Sequence, residues 1–413
     1  MSKRTFCRRE IKMKRVLFSW ELGSGLGHMA LLKPIAEELV KRGHCVHVSL
    51  KNFAGAHSML NSLASCLLPS PVRQANIAGR IRSPATYAQL MHNVGFGDLQ
   101  ELNILVQAWR NLMALVRPDI LVANYSPIAV LAARSLSMPY IILGTGFDCP
   151  PAIDSFPDWR PNQKNSPAML QAFEQRVLSN TNQLLKKNGA KQLQKFSQLF
   201  SDAAETILVT YPELDVFKPR DKGKYYGIWP DSAGFNPEWP AGTGPKIFAY
   251  LRPIQGVQRL LKVLVERNHP TIIRMPSPDD SLRGAFNASN LKWETRFIDI
   301  DQTAHECDFA ICHGSHMMTA SILLSGKPQL LLPPYLEQLL NAENVIRLGA
   351  GVAAAPSDVS ESQIHKMIEA LSSKNVFVEA ADIFRNNYKD IDRLERLDSA
   401  IGKIERVLNA SSY

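Results

Sequence analysis

The chain has 413 residues, 45% hydrophobic and 21% charged, which suits two globular domains of about 200 residues each. No stretch approaches the roughly 20 apolar residues needed to span a bilayer, and the N-terminus lacks the apolar core of a signal peptide, so a cytoplasmic protein is expected. The net charge of +9 leaves nucleic acid, a membrane surface or an anionic substrate as the classes of partner to separate.

Much of that excess lies in one place, where Lys3, Arg4, Arg8, Arg9, Lys12, Lys14 and Arg15 are offset only by Glu10. Such a run reads as a solvated tail over residues 1–13, or as sequence upstream of an initiator at Met13, rather than as a nucleic-acid arm. Peripheral docking on anionic lipid, at about 1 kcal/mol per basic residue, is a second use for it. The six cysteines, Cys7, Cys45, Cys66, Cys149, Cys307 and Cys312, form no CxxC pair and no compact disulfide spacing. Free thiols in a reducing compartment are expected, with Cys45 and Cys312 in the core.

Arg15–Trp20 is an apolar strand, followed by a glycine turn carrying Gly23, Gly25 and Gly27 and then His28. From Met29 to Arg42 the apolar positions Leu31, Leu32, Ile35, Leu39 and Val40 recur at helical spacing, Gly43 closes the helix, and Cys45–Leu50 is the next strand. A strand, helix, strand unit needs a right-handed crossover and hence a parallel sheet. The glycine spacing is wrong for a dinucleotide loop, and Lys51 and Asn52 stand where an acidic ribose ligand would be, so no nicotinamide, flavin or other cofactor is expected.

Further strands are expected at Ile120–Ala123, Tyr140–Leu143 and Ile207–Thr210, with a helix over Pro127–Leu136 and helices within 166–200. Pro, Gly and Trp are then dense from Pro212 to Pro245, the composition of a linker. The pattern restarts with strands at Lys246–Tyr250 and Thr271–Arg274 around a helix over Val257–Arg267. The organisation is therefore an N-terminal Rossmann-like domain over 14–215, a linker over 216–245, and a second Rossmann-like domain over 246–390. A C-terminal helix over 391–413 is expected to pack back on the first domain. Two facing α/β domains would leave a ligand cleft between them.

The chemistry concentrates after the strand Asp308–Cys312. His313, Gly314 and Ser315 turn the chain into a helix over Met317–Leu324, whose unpaired first-turn amides and positive dipole end suit a diphosphate. Gly326 ends that helix, Gln329–Leu332 is another strand, and Glu337 and Gln338 fall at the carboxyl edge where open parallel sheets bind ligands. A carboxylate beside an amide matches the donors and acceptors of vicinal sugar hydroxyls. In the first half, His28 sits at the carboxyl end of the first strand, and an imidazole of ordinary pKa about 6.5 suits a general base near neutral pH. His44 and His47 flank a strand start and read as packed or solvent-facing residues.

The series His313-Gly314, Gly326-Lys327-Pro328, Pro333, Glu337-Gln338, Asn341-Ala342, together with Gly27-His28 and Arg42-Gly43-His44, resembles the UDP-glycosyltransferase-like family of GT-B glycosyltransferases, bacterial members included. The resemblance implies an inverting, metal-independent transferase of the hexosyltransferase type, taking a nucleoside-diphosphate sugar as donor. The acceptor is left open among a glycan, a lipid-linked sugar and a small aglycone. By the same resemblance, His313 with Gly314, Ser315 and the amides to Thr319 would hold the diphosphate, Glu337 and Gln338 the sugar, and His28 would deprotonate the acceptor hydroxyl. Gly25, Gly27, Asn124, Phe297, Ser321 and Asn341 are secondary candidates.

Ser315 stands where the family has a second glycine, and Met317 and Met318 where many relatives have polar phosphate ligands. Asn124 falls where many plant members carry the Asp that partners the base, with Glu21 and Asp148 near in the fold. Asp299-Ile300-Asp301 looks like a metal-binding D-x-D, but no convergent set of oxygens accompanies it, and no metal is expected. Two other readings stay open: a non-catalytic homologue that senses a nucleotide sugar or partners a transferase, and a sugar-nucleotide epimerase.

Overall fold

The computed structural model describes residues 13–410, apart from residues 24, 74–78, 219, 221–223, 231–233 and 277. The basic tail, except Met13, lies outside the described residues. The chain divides into two compact units, one running to Leu208 and including Leu397 onward, the other Val209–Arg396.

In the first unit, β1 (Arg15–Trp20), β2 (Cys45–Leu50), β3 (Leu67–Pro69), β4 (Ile120–Asn124), β5 (Tyr140–Gly144) and β6 (Glu205–Leu208) form one sheet in the order β3-β2-β1-β4-β5-β6. Every pair in it is parallel. Strands covered on both faces read as continuous apolar runs rather than alternating ones. Val16, Leu17 and Phe18 of β1 and Ile120, Leu121 and Val122 of β4 are at most 1% exposed. Helices Gly27–Lys41, Leu99–Val116 and Pro127–Ser135 supply much of the cover. Asp98 caps the longest of these, accepting from the amides of Gln100 (2.8 Å) and Glu101 (3.0 Å).

The second unit repeats the plan. β7 (Ile247–Tyr250), β8 (Thr271–Arg274), β9 (Leu291–Glu294), β10 (Phe309–Cys312), β11 (Gln329–Leu331) and β12 (Gly351–Ala353) run in the order β12-β11-β10-β7-β8-β9, all parallel. Successive side chains point to opposite faces. Phe248, Ala310 and Leu331 therefore join one core with the helix His316–Leu324, while Ile247, Ala249, Phe309 and Ile311 join the other with the helix Val257–Arg267.

Residues from Leu397 onward belong to the first unit. Ala400, Ile401, Ile404 and Leu408 bury an apolar stripe, and Arg42 bonds Asp398 and, at 2.8 Å, Glu405. The last strand of the first sheet lies at Glu205–Leu208 rather than at Ile207–Thr210. Its polar first residue is accommodated because this edge strand pairs Glu205 with Lys403. Among the described residues no helix is long and apolar enough to cross a membrane.

Candidate active site

In each sheet the chain reverses its winding between two adjacent strands, β1 and β4 in the first and β7 and β10 in the second. Ligands of open α/β sheets bind at the carboxyl ends of the strands at such switch points. His28 follows β1 and Asn124 ends β4, in register with Trp20. Tyr250 ends β7, in register with Cys312 of β10, and His313 follows.

His28 occupies the first turn of the helix Gly27–Lys41, where its Nδ1 lies 2.8 Å from Asn124 Oδ1. The Asn124 amide nitrogen donates to Leu143 O (2.9 Å) and Asp148 Oδ2 (3.1 Å), both acceptors only, which fixes Oδ1 as the atom facing the imidazole. The proton therefore sits on Nδ1, and Nε2 carries the basic lone pair. The imidazole stacks with Trp20 (5.1 Å between ring centroids) and with Tyr125 (6.3 Å).

Three features hold this ring in place. Gly23, with φ +80°, passes so close that a Cβ there would overlap Nε2, and Lys51 Nζ ties the Gly23 carbonyl at 2.8 Å. Glu21 accepts from the amides of Ile128 (3.0 Å) and Ala129 (2.6 Å), and Leu22 N bonds Tyr125 O at 3.1 Å, joining the turn after β1 to the turn after β4. Burial pushes the Glu21 carboxyl up to about 8, against the pull of those two amides. Gly25 also has a positive φ of 93°, whereas a Cβ at Gly27 would meet open space.

In the second unit, His313 is 2% exposed and stacks on Tyr250 at 5.7 Å, with Nδ1 3.4 Å from Tyr250 O. Burial first, and Arg252 second, lower its pKa to about 4, so the ring is neutral at pH 7. Its buried Nε2 has no hydrogen-bond partner among the described residues. Gly314 has φ +80°, and a Cβ there would lie 2.8 Å from Gln338 O. Asn341 Nδ2 donates to Gly314 O at 3.1 Å, pinning the same loop to the helix Leu336–Leu348. Ser315 precedes the helix His316–Leu324 without a side-chain cap, and no acidic residue occupies its first turn. The first intrahelical bond of that helix runs from Thr319 N to Ser315 O at 2.9 Å, which leaves the amides before it to an incoming anion.

The turn thus gathers His313, Gly314, Ser315, Gln338 and Asn341. Gln338 is buried with Oε1 unpartnered among the described residues, and Glu337 lies half-buried beside it. Thr319 and Ser321, expected near the donor, are 0% and 4% exposed and sit within the core side of their helix, Thr319 beside the Cys312 thiol. Phe297 is 42% exposed, with the guanidinium of Arg274 5.6 Å from its ring. Asp299 caps the helix Ile300–Glu306 through Gln302 N (2.8 Å), and Asp301 pairs with Arg393. No group of three His, Cys, Asp or Glu among the described residues is placed to hold a metal ion.

Trp20 and Tyr125 beside the first histidine, and Tyr250 beside the second, were not singled out as site residues by sequence, and Gly23 was read only as part of the glycine turn. Their signal is positional: each ends or follows a strand at or beside a switch point.

No family model matches the chain. It is 23% identical over 307 residues, 69% of this chain and 67% of the relative, to the PGL/p-HBAD biosynthesis rhamnosyltransferase of Mycobacterium bovis. Among solved structures, the calicheamicin glycosyltransferase CalG4 superposes with TM-score 0.69 at 17% identity, covering 98% of this chain and 100% of that one. The glycosyltransferase VinC in complex with dTDP gives TM-score 0.66 at 15% identity, covering 96% and 100%. With two switch-point sheets and these likenesses, the chain has a GT-B fold and is similar in sequence to bacterial glycosyltransferases.

Proposed function

We propose that this chain is an inverting glycosyltransferase moving a sugar from a nucleoside-diphosphate donor to an acceptor hydroxyl, with His28 as general base. The observation carrying this reading is the fixed tautomer of His28, whose protonated Nδ1 faces Asn124 and leaves Nε2 as the base. Nε2 takes the acceptor proton as the acceptor oxygen attacks the anomeric carbon. The bond from that carbon to the diphosphate oxygen breaks, its electron pair leaves with the nucleoside diphosphate, and the configuration inverts. The free amides at the start of the helix His316–Leu324 stabilise the departing charge, with His313 beside them.

Because relatives include a rhamnosyltransferase and a structure with bound dTDP, dTDP-linked deoxyhexoses are the first donors to test. The chain is incubated with UDP-, dTDP- and GDP-sugars and a panel of hydroxyl acceptors, and nucleotide release and product are followed by mass spectrometry. Nucleotide release with an anomerically inverted product is expected. Binding without turnover would leave a sensor, and epimerised donor an epimerase; either result overturns the proposal.

A further inference from the structure

The imidazolium formed when His28 takes a proton needs negative charge behind Nδ1, and Asn124 supplies only a neutral carbonyl. The next group along is acidic. The Asn124 amide nitrogen donates to Asp148 Oδ2 at 3.1 Å, while Asp148 Oδ1 is held by Thr145 N at 2.8 Å. Asn124 is 1% exposed and Asp148 6%, so the connection runs through protein rather than water.

We propose that Asp148 is a positioning residue that acts on His28 through Asn124, forming a relay in which the acid stands one side chain away from the imidazole. This rests on His28 being the base. The carboxylate polarises the amide N–H, the amide oxygen becomes a stronger acceptor, and the protonated ring is stabilised without Asp148 exchanging a proton.

Two observations argue against a merely local role. Closing the turn at Thr145 needs only a short polar side chain, which Asn or Ser supplies without burying a charge. Burial pushes the Asp148 carboxyl up to about 6, so it is mostly ionised at pH 7 at the expense of stability. Gly144, moreover, has an ordinary backbone, yet a Cβ there would overlap the Asp148 carboxyl group. The end of β5 is thus kept bare to seat that carboxylate. The titratable groups facing Asp148 are Cys149 and Tyr87, with Tyr125 and Glu21 acting on Tyr87 in turn and His28 reached through Asn124.

The test compares Asp148→Asn, the charge swap Asn124→Asp/Asp148→Asn, and His28→Ala, each checked for folding by circular dichroism. Asp148→Asn is expected to lower kcat at least tenfold with donor KM unchanged, and to move the acidic limb of the pH–rate profile to lower pH. The swap places the acid directly on Nδ1 and is expected to recover kcat, an outcome a structural role would not give; it also reports if the single variant fails to fold. Wild-type kcat and pH limb in a folded Asp148→Asn, with His28→Ala inactive, would overturn the relay and leave the base assignment standing. A folded swap as slow as the single variant would do the same. Turnover surviving in His28→Ala would instead overturn the base assignment itself.

Discussion

Replacing Gly23 by Ala adds one methyl group at the point where the backbone passes closest to the proposed base. The new Cβ would overlap His28 Nε2 and come within 3.0 Å of Cε1 and 3.3 Å of Cδ2. Ordinary carbon contacts lie near 3.5–4.0 Å, so the ring must retreat by roughly 1 Å. It cannot do so freely, because Nδ1 is bonded to Asn124 at 2.8 Å and one face stacks on Trp20. A displacement of that size is expected to lower donor turnover by about 100-fold, or about 2.7 kcal/mol in barrier. Since Gly23 has φ +80°, alanine should also destabilise the first unit by about 1 kcal/mol. Gly27→Ala is the control: it lies in the same segment but opens a helix, its Cβ meets nothing, and turnover within twofold of wild type is expected. Turnover and nucleotide affinity should be measured together, because nucleotide affinity should not change. A Gly23→Ala protein with wild-type turnover would refute the placement of the reacting group at Nε2.

The second site gives three further predictions. His313 is neutral with Nδ1 directed at Tyr250 O, so a diphosphate accepting from Nε2 must bring a proton with it. Calorimetry of nucleoside-diphosphate binding at pH 7, repeated in buffers of different ionisation enthalpy, should show proton uptake that His313→Ala abolishes while weakening affinity; buffer-independent heat would count against this. Gly314→Ala should weaken the same binding at least tenfold, because the Cβ would lie 2.8 Å from Gln338 O at φ +80°; unchanged affinity would place the anion elsewhere. Burial lowers His313 and His316 from 6.5 to about 4, so the unfolded chain binds their protons first. Stability is retained above pH 6.5 and lost as pH falls toward 4, by on the order of 3 kcal/mol for each ring. Asp148, raised to about 6, works in the opposite direction over the same range. The measurement is therefore the difference in acid sensitivity between wild type and His316→Asn, and an identical slope would contradict it.

The elements legible in the sequence were those whose burial left an apolar run or a helical period. Arg15–Trp20, Cys45–Leu50, Val257–Arg267 and Thr271–Arg274 fall where periodicity puts them. The strands Leu67–Pro69, Leu291–Glu294 and Gly351–Ala353 are short outer strands of three or four residues, too brief to show a period. The same limit applies to the sites. His28 and His313 are marked by the glycines beside them, but what surrounds each ring comes from distant strands. Asn124 reaches His28 because β1 and β4 are neighbours, although 96 residues separate the two. Asp148 was placed near the base by fold logic alone, and its contact with Asn124 follows from β5 lying beside β4. Thr319, named through the family resemblance, has its hydroxyl buried beside Cys312, a contact that depends on packing and not on spacing along the helix.

The most direct test of the transfer mechanism pairs two measurements on His28→Ala, donor turnover and nucleoside-diphosphate affinity. Turnover should fall at least a thousandfold while affinity stays within twofold of wild type, since the proposed base and the proposed diphosphate turn belong to different units of the chain. Turnover that survives the loss of the imidazole would show that another group takes the acceptor proton.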